Sequence, residues 1–332
     1  MTFKFNNSYI YETHTVTGPY EKKGPLSKYF DYSFDNLYCG AKTWEQSEIN
    51  LIKKAYSFFK IKPDLFISGD LLNQIIASTY SAKEFDLPFM GVYSACSTSV
   101  LGLILASTLV DNNMVNNVIV SASSHNCSAE KQFRYPIEYG GPKKKTTTFT
   151  STGCGMALVS NNKSDIKIES GTIGKIMDLD VKDVNYIGAV MAPGAAYVIN
   201  QHLKDLSRDI SYYDMVFTGD LGLYGMQILK DLMKEEYNIE LKNYNDCGVM
   251  IYDLDTQPVY SGASGPACLP LVSYSYILKQ MKEKKLKKVL LVATGSLHST
   301  TMLNQKLSIP SIAHAISLEV IWYIYIRLYF VV

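Results

Sequence analysis

Cys96 is the residue in this sequence best placed to do chemistry. It follows the apolar run Leu87–Tyr93 and precedes Ser97-Thr98-Ser99, hydroxyl residues of the kind that cap a helix start. A thiol there faces unpaired N–H groups and the positive end of a helix dipole, which favours the nucleophilic thiolate. The competing reading is a small buried hydrophobe, the ordinary state of a free cysteine. The other cysteines, Cys39, Cys127, Cys154, Cys247 and Cys268, form no C-x-x-C pair and lack the histidine spacing of a zinc site, so no metal is expected. Two histidines follow apolar runs: His125 comes after Val118–Ala122, and His298 after Val289–Thr294. A lone histidine is more often a packed or surface residue than a reactive one. Arg134 and Tyr135 bring a planar cation and a ring close behind His125, although Arg134 can equally pair with Glu138 and order its loop.

The runs that would position these residues recur in order. Asp64-Leu65-Phe66-Ile67-Ser68-Gly69-Asp70-Leu71 reads like Asp214-Met215-Val216-Phe217-Thr218-Gly219-Asp220-Leu221, at an offset of 150. Tyr93-Ser94-Ala95-Cys96-Ser97 reads like Tyr260-Ser261-Gly262-Ala263-Ser264, at an offset of 167. Val118–Ser123 reads like Val289–Thr294, at an offset of 171. Each pair alone is weak, because apolar strands resemble one another. Their shared order and loop-sized growth in offset make a duplicated half the better explanation.

Within the first copy, Asp64–Ser68, Leu87–Tyr93 and Val118–Ala122 read as buried strands. Val100, Leu101, Ile104, Leu105 and Leu109 give Ser97–Val110 a helical spacing. The matching helix of the second copy is Pro270–Leu286, whose lysine-rich end suits a helix C-terminus. Such alternation implies an α/β fold with mostly parallel pairing. The halves divide near residue 170, into 1–170 and 171–332, at a boundary of pseudo-symmetry with no flexible linker. Asp70 and Asp220, matched by the repeat, are expected to close strand ends structurally.

A chain of 332 residues with 47% apolar content can bury a large core, and its net charge of +1 gives no global pull toward nucleic acid. Lys143-Lys144-Lys145, after the turn-forming Gly140-Gly141-Pro142, reads first as a solvated loop and second as an anion-attracting one. The N-terminus lacks the pattern of a signal peptide, and the scattered cysteines fit a reducing, intracellular setting. Ile316–Val332 is strongly apolar but carries Glu319 and Arg327, and is short of the roughly 20 apolar residues of a spanning helix. Its β-branched and aromatic content suits a buried final strand, with an interfacial anchor as the alternative.

A Cys at a strand-to-helix turn in the first of two α/β copies resembles the thiolase and ketoacyl-synthase superfamily. Several runs resemble one family within it, stage V sporulation protein AD. They are Gly69-Asp70-Leu71-Leu72-Asn73-Gln74, Ala95-Cys96-Ser97-Thr98-Ser99, Ser123-Ser124-His125-Asn126, Gln132-Phe133-Arg134-Tyr135-Pro136, Asn245-Asp246-Cys247-Gly248 and Ile309-Pro310-Ser311-Ile312-Ala313-His314. The resemblance runs from about Tyr20 to about Ala315, and the tail from about Glu319 matches nothing. It implies a thiolase-like fold of two pseudo-symmetric βαβ halves, with central sheets sandwiching helices.

The resemblance also implies that chemistry is lost. Condensing enzymes of the superfamily complete the Cys with two His, or a His and an Asn, from the second half. Here those positions read Gly219-Asp220 and Gly262-Ala263. Without such donors the carbanion of a Claisen step has no stabiliser, and His298 is the only nearby substitute. The implied role is a non-enzymatic component of a spore-membrane system that binds dipicolinic acid, alone or as its calcium chelate, and helps move it. Cys96, His125, Arg134, Tyr135 and His298 are the implied ligand-binding residues, with no cofactor. Further implications are a homodimer, partner transport proteins of the same system, and a peripheral place at the forespore or spore inner membrane. The alternatives are an acyl transferase or condensing enzyme using Cys96, and a scaffold that binds no small molecule.

Overall fold

The computed structural model describes residues 1–133 and 143–321. The first half supplies strands β1 (Thr2–Lys4), β2 (Tyr9–Thr17), β3 (Tyr32–Ser33), β4 (Leu65–Gly69), β5 (Phe89–Gly91), β6 (Asn117–Ser124), β7 (Phe149–Thr150) and β8 (Gly153–Ser160). The second supplies β9 (Ile166–Ile173), β10 (Met215–Thr218), β11 (Tyr244–Asp246), β12 (Ala263–Ser264), β13 (Lys288–Ser296) and β14 (Ser311–Val320). The longer helices are α1 (Trp44–Tyr56), α2 (Ile76–Phe85), α3 (Thr98–Asp111), α4 (Asn126–Phe133), α5 (Ile187–Leu206) and α6 (Gly222–Tyr237). Shorter ones follow: α7 (Cys247–Met250), α8 (Cys268–Val272), α9 (Leu278–Lys282) and α10 (Thr300–Asn304), with a π-helical turn, Ser273–Ile277, joining α8 to α9.

The strand order is β11-β10-β13-β14-β9 and then β2-β8-β6-β4-β5. The two five-strand series mirror one another. β2, α1, β4, α2, β5, α3, β6 and β8 correspond to β9, α5, β10, α6, β11, α8–α9, β13 and β14. The register repeats as well. Leu65 pairs with Val118 and Met215 with Val289, the two pairs being related by the sequence offsets of 150 and 171. Asp64 accepts from the backbone N–H groups of Asn116 and Asn117, and Asp214 does the same for Lys287 and Lys288. A carboxylate thus closes the same strand-pair opening in both copies. The series meet where Tyr9 and Ile10 of β2 pair with Lys167 and Ile166 of β9, so β9 opens the second copy and spans the position of the boundary drawn near 170.

Layering follows from side-chain patterning. Helix α3 is apolar around its whole circumference, as a helix enclosed on all sides must be, and packs on β4, β6 and β8 of its own half and on β13, β14 and β9 of the other. The α8–α9 segment likewise reaches β2 and β8. Helices α1 and α5 cover the outer faces. The result is two half-sheets enclosing a helical layer and covered by helices outside, as the sequence implies.

Four details differ from the sequence reading. The run Leu87–Tyr93 shortens to β5, an exposed edge strand paired only with β4, so it is not a buried strand. No side chain caps α3, because Ser97 and Thr98 bond back into the preceding turn. The second-half helix ends at Lys282, where Glu283 leaves helical geometry and Lys284 takes a left-handed φ of 63°. The final strand begins at Ser311 and pairs on both sides through Val320, whereas Trp322–Val332 lie outside the described residues. Among the described residues no helix is long and apolar enough to cross a membrane.

Candidate functional site

Cys96 sits at the C-terminal ends of β4 and β6, in the turn that feeds α3. The residue before it, Ala95, holds a left-handed φ of 45°, a conformation costly for a residue with a Cβ. A web of side chains pins the turn. Ser94 donates its N–H to Thr98 Oγ1 at 3.1 Å, Thr98 Oγ1 donates to the Ala95 carbonyl at 2.7 Å, and Ser97 Oγ donates to the Ser94 carbonyl at 2.7 Å.

The second half completes this web through His314 on β14. The Gly174 N–H donates to His314 Nδ1 at 3.4 Å, leaving Nε2–H to donate to Ser94 Oγ at 3.0 Å. Ser94 then donates to Ser97 Oγ at 2.6 Å. Burial depresses the imidazole to about 4, so His314 is neutral. With Nδ1 accepting and Nε2 donating, it positions the turn and is not poised as a base. Gly295 presses on the same turn: a Cβ there would lie 2.7 Å from the Ser94 carbonyl, so only glycine fits.

The Cys96 thiol lies beside the carboxyl of Asp220, from the second half. Asp220 accepts from Thr294 Oγ1 at 2.5 Å and from the Gly265 N–H at 3.0 Å. Burial, assisted by the nearby Asp246 charge, raises Asp220 to about 7. Asp246 is itself raised by burial, to about 6, while it accepts from Thr218 Oγ1 and from the N–H groups of Leu221, Gly222 and Gly248.

The repeat explains this arrangement. In the first copy Asp70 folds back on its own loop, accepting from Leu72 and Ser78 N–H. In the second, Asp246 takes over the equivalent loop, which frees Asp220 to turn toward Cys96. The expectation that both repeat-matched aspartates close strand ends therefore holds for Asp70 and fails for Asp220.

In front of Cys96 lies a pocket of about 480 Å³, its open mouth included. Tyr93, Phe133, Leu71 and Ile187 give it apolar walls, and Thr150, Ser264, Ser296, His298 and Glu130 are its polar lining. Ser296 is 8% exposed and its hydroxyl has no hydrogen-bond partner among the described residues. A buried hydroxyl in that state favours a ligand that bonds to it. His298 lies 5.5 Å, centroid to centroid, from the Phe133 ring. Tyr93 is pushed up to about 12, chiefly by burial, so its phenol stays protonated and can donate.

Cys96 and His298 thus come together at this pocket, and His125 does not. His125 is fully buried, its Nε2 lies 2.7 Å from the Leu37 carbonyl, its Nδ1 accepts from Cys127 N–H, and its ring stacks on Trp44. Burial depresses it to about 4, and its role is to order the start of α4. Arg134, Tyr135 and Glu138 lie outside the described residues. The lysine run is engaged at its start, where Lys143 lies 3.6 Å from Glu130 and Lys144 2.8 Å from Asp183. Asp220 and His314 were missed as site residues. His314 lies in a run that resembles the family and Asp220 in a repeat-matched run, but nothing in their spacing marks them as reaching across the halves.

A model of the family described as stage V sporulation protein AD matches residues 1–319. The chain is 44% identical over 319 residues to stage V sporulation protein AD of Bacillus subtilis (strain 168), covering 94% of each protein. The chain belongs to the stage V sporulation protein AD family. A sporulation role follows from that membership. Its fold is shared with condensing enzymes. A 3-oxoacyl-(acyl carrier protein) synthase III from Aquifex aeolicus VF5 matches at 14% identity with a TM-score of 0.56, covering 94% of this chain and 99% of that one. A cerulenin-bound OleA from Xanthomonas campestris matches at 12% identity with a TM-score of 0.57, covering 95% and 100%.

An ionised Asp220 beside Cys96 opposes the thiolate by like charge. In Asp220→Asn, iodoacetamide should therefore alkylate Cys96 faster than in the wild type above pH 7. The difference should close as pH falls below about 7, where Asp220 is protonated. Linkage gives the same window for stability: with its value raised from 3.8, Asp220 contributes stability below 3.8 that is lost as pH rises through about 7. Equal alkylation rates above pH 7, read by peptide mass, would show that Asp220 does not control the thiol.

Proposed function

We propose that this protein is a non-enzymatic component of a spore-membrane system, and that it binds dipicolinic acid in the Cys96 pocket and helps move it. The observation that carries this reading is the Asp220 carboxyl beside Cys96. Where the resemblance places imidazole or amide donors in condensing enzymes, this chain has a carboxyl behind Cys96, whose charge opposes a thiolate. What remains is a pocket in front of Cys96, open at its mouth. Its walls suit a flat aromatic acid. Tyr93 and Phe133 offer rings, while Ser296, Thr150, Ser264 and His298 offer donors. Glu130 faces the same space, which favours a ligand whose charge is reduced by protonation or by its calcium partner. Arg134 follows Phe133 directly and is the cation best placed by sequence to meet a carboxylate.

Calorimetric titration tests the reading, with dipicolinic acid as ligand and benzoate as control. Saturable binding is expected, weakened about fivefold in Ser296→Ala by loss of one hydrogen bond. It should weaken further in Arg134→Ala. An absence of binding at millimolar ligand sinks the reading and leaves a scaffold.

One observation favours a second reading, an acyl carrier or transferase. Cys96 lines a pocket at a strained strand-to-helix turn, the placement that presents a nucleophile. Incubation with acyl-CoA should leave the intact mass unchanged; a mass gain abolished by Cys96→Ser would move the protein into that class.

Assembly as a homodimer is part of the proposal. Strand β5 is an edge, with Phe89 and Met90 each 36% exposed and Tyr93 beside them 48% exposed. Such an edge is normally covered by pairing. Sedimentation should give twice the chain mass and Met90→Arg half of that; a wild-type monomer would refute the dimer.

A further inference from the structure

At the end of the sheets away from the Cys96 pocket, the turn from α9 into β13 carries six lysines and one glutamate within residues 279–288. The whole chain has a net charge of +1, so this is a local excess set against acidic residues elsewhere. Lys279, Lys282, Lys284, Lys285 and Lys287 are exposed. Lys279 and Lys282 belong to the last turn of α9, where cations complement the helix dipole. Lys284, Lys285 and Lys287 lie beyond the helix, and the dipole does not account for them.

A second element adds to the patch. Lys28 is exposed, and its ammonium lies 5.3 Å from the centre of the Tyr29 ring, over which Lys279 also sits at 5.1 Å. Tyr29 packs edge-on against Tyr276, with centroids 5.1 Å apart. Acidic groups at the patch are few. Glu283 lies 2.7 Å from Lys285, Glu319 lies 3.9 Å from Lys288, and Asp214 accepts from the backbone of Lys287 and Lys288.

We infer that this patch docks the protein directly onto an anionic lipid surface. The charges are all lysines on flexible stems, which suit many loosely placed phosphates better than bidentate readout of one. The half-buried tyrosines between them combine an apolar body with a polar tip, as residues at the headgroup level do. The patch is carried by a helix end and a turn, and its lysines do not line the Cys96 pocket. A single-stranded nucleic acid, by contrast, needs a groove with stacking platforms. Docked in this way, the protein turns its Cys96 pocket away from the membrane.

The test is co-sedimentation of the full chain with phosphatidylcholine vesicles, with and without phosphatidylglycerol. Each lysine near an anionic leaflet contributes roughly fivefold to partitioning at low salt. Binding is expected only with phosphatidylglycerol present, and it should fall steeply as salt rises. Lys279→Glu, Lys282→Glu and Lys285→Glu together should lower it by about a hundredfold or more. The corresponding glutamine variant, which adds no acidic charge, should lower it less. Dipicolinic acid titration of the same variants reports the pocket independently, since these lysines do not line it. Equal binding to both vesicle types, or undiminished binding by the triple glutamate variant, would overturn the inference. So would binding to a duplex oligonucleotide or polyglutamate without binding to vesicles.

Discussion

The Ser94–Ser97 turn is clamped from both halves of the molecule, and the site depends on that clamp. Ala95 is held at a left-handed φ that no isolated turn of this sequence would prefer. The cost is offset by a closed set of hydrogen bonds among Ser94, Ser97, Thr98 and His314, and by a glycine that lets β13 approach. The hydroxyls that a linear reading assigns to capping α3 are used for this purpose instead. A turn so over-determined places the Cys96 thiol in one position, against Asp220 on one side and the pocket on the other.

Duplication with divergence explains why that position is available. The two copies keep the same strand register and the same carboxylate at the base of the β4–β6 and β10–β13 pairs. They differ at the upper end. Asp70 satisfies its own loop, while Asp246 satisfies the corresponding loop of the second copy and leaves Asp220 directed inward. One exchange of hydrogen-bond partners thereby converts a structural residue of the ancestral half into a residue of the site. Its partner there is the Cys96 thiol.

The buried ionisable groups also set what the site can tolerate. His125, His202 and His314 are all depressed to about 4 by burial, so each is neutral at ordinary pH and serves as a fixed donor and acceptor. Burial raises Glu21 and Asp220 to about 7, and burial together with the Asp70 charge raises Glu48. Such groups are costly to ionise without partners, which is why each sits among backbone N–H groups, hydroxyls or a phenol.

The sequence alone determined the class of fold, the duplication, the position of Cys96 at a strand-to-helix turn, and the lack of imidazole or amide donors at Gly219-Asp220 and Gly262-Ala263. These are local properties: apolar periodicity, ordered repeats and residue identity are all carried along the chain. The sequence overestimated β5 because an apolar run does not state whether it lies inside a sheet or at its edge. It placed His125 near the site because chain proximity to a strand end says nothing about which side of that end a ring occupies. Only the tertiary structure decided that Asp220 meets Cys96, that His314 pins the turn, and that Ser296 has no hydroxyl partner among the described residues. Each of those contacts joins residues far apart in the chain, and is created when the two half-sheets close on the helices between them.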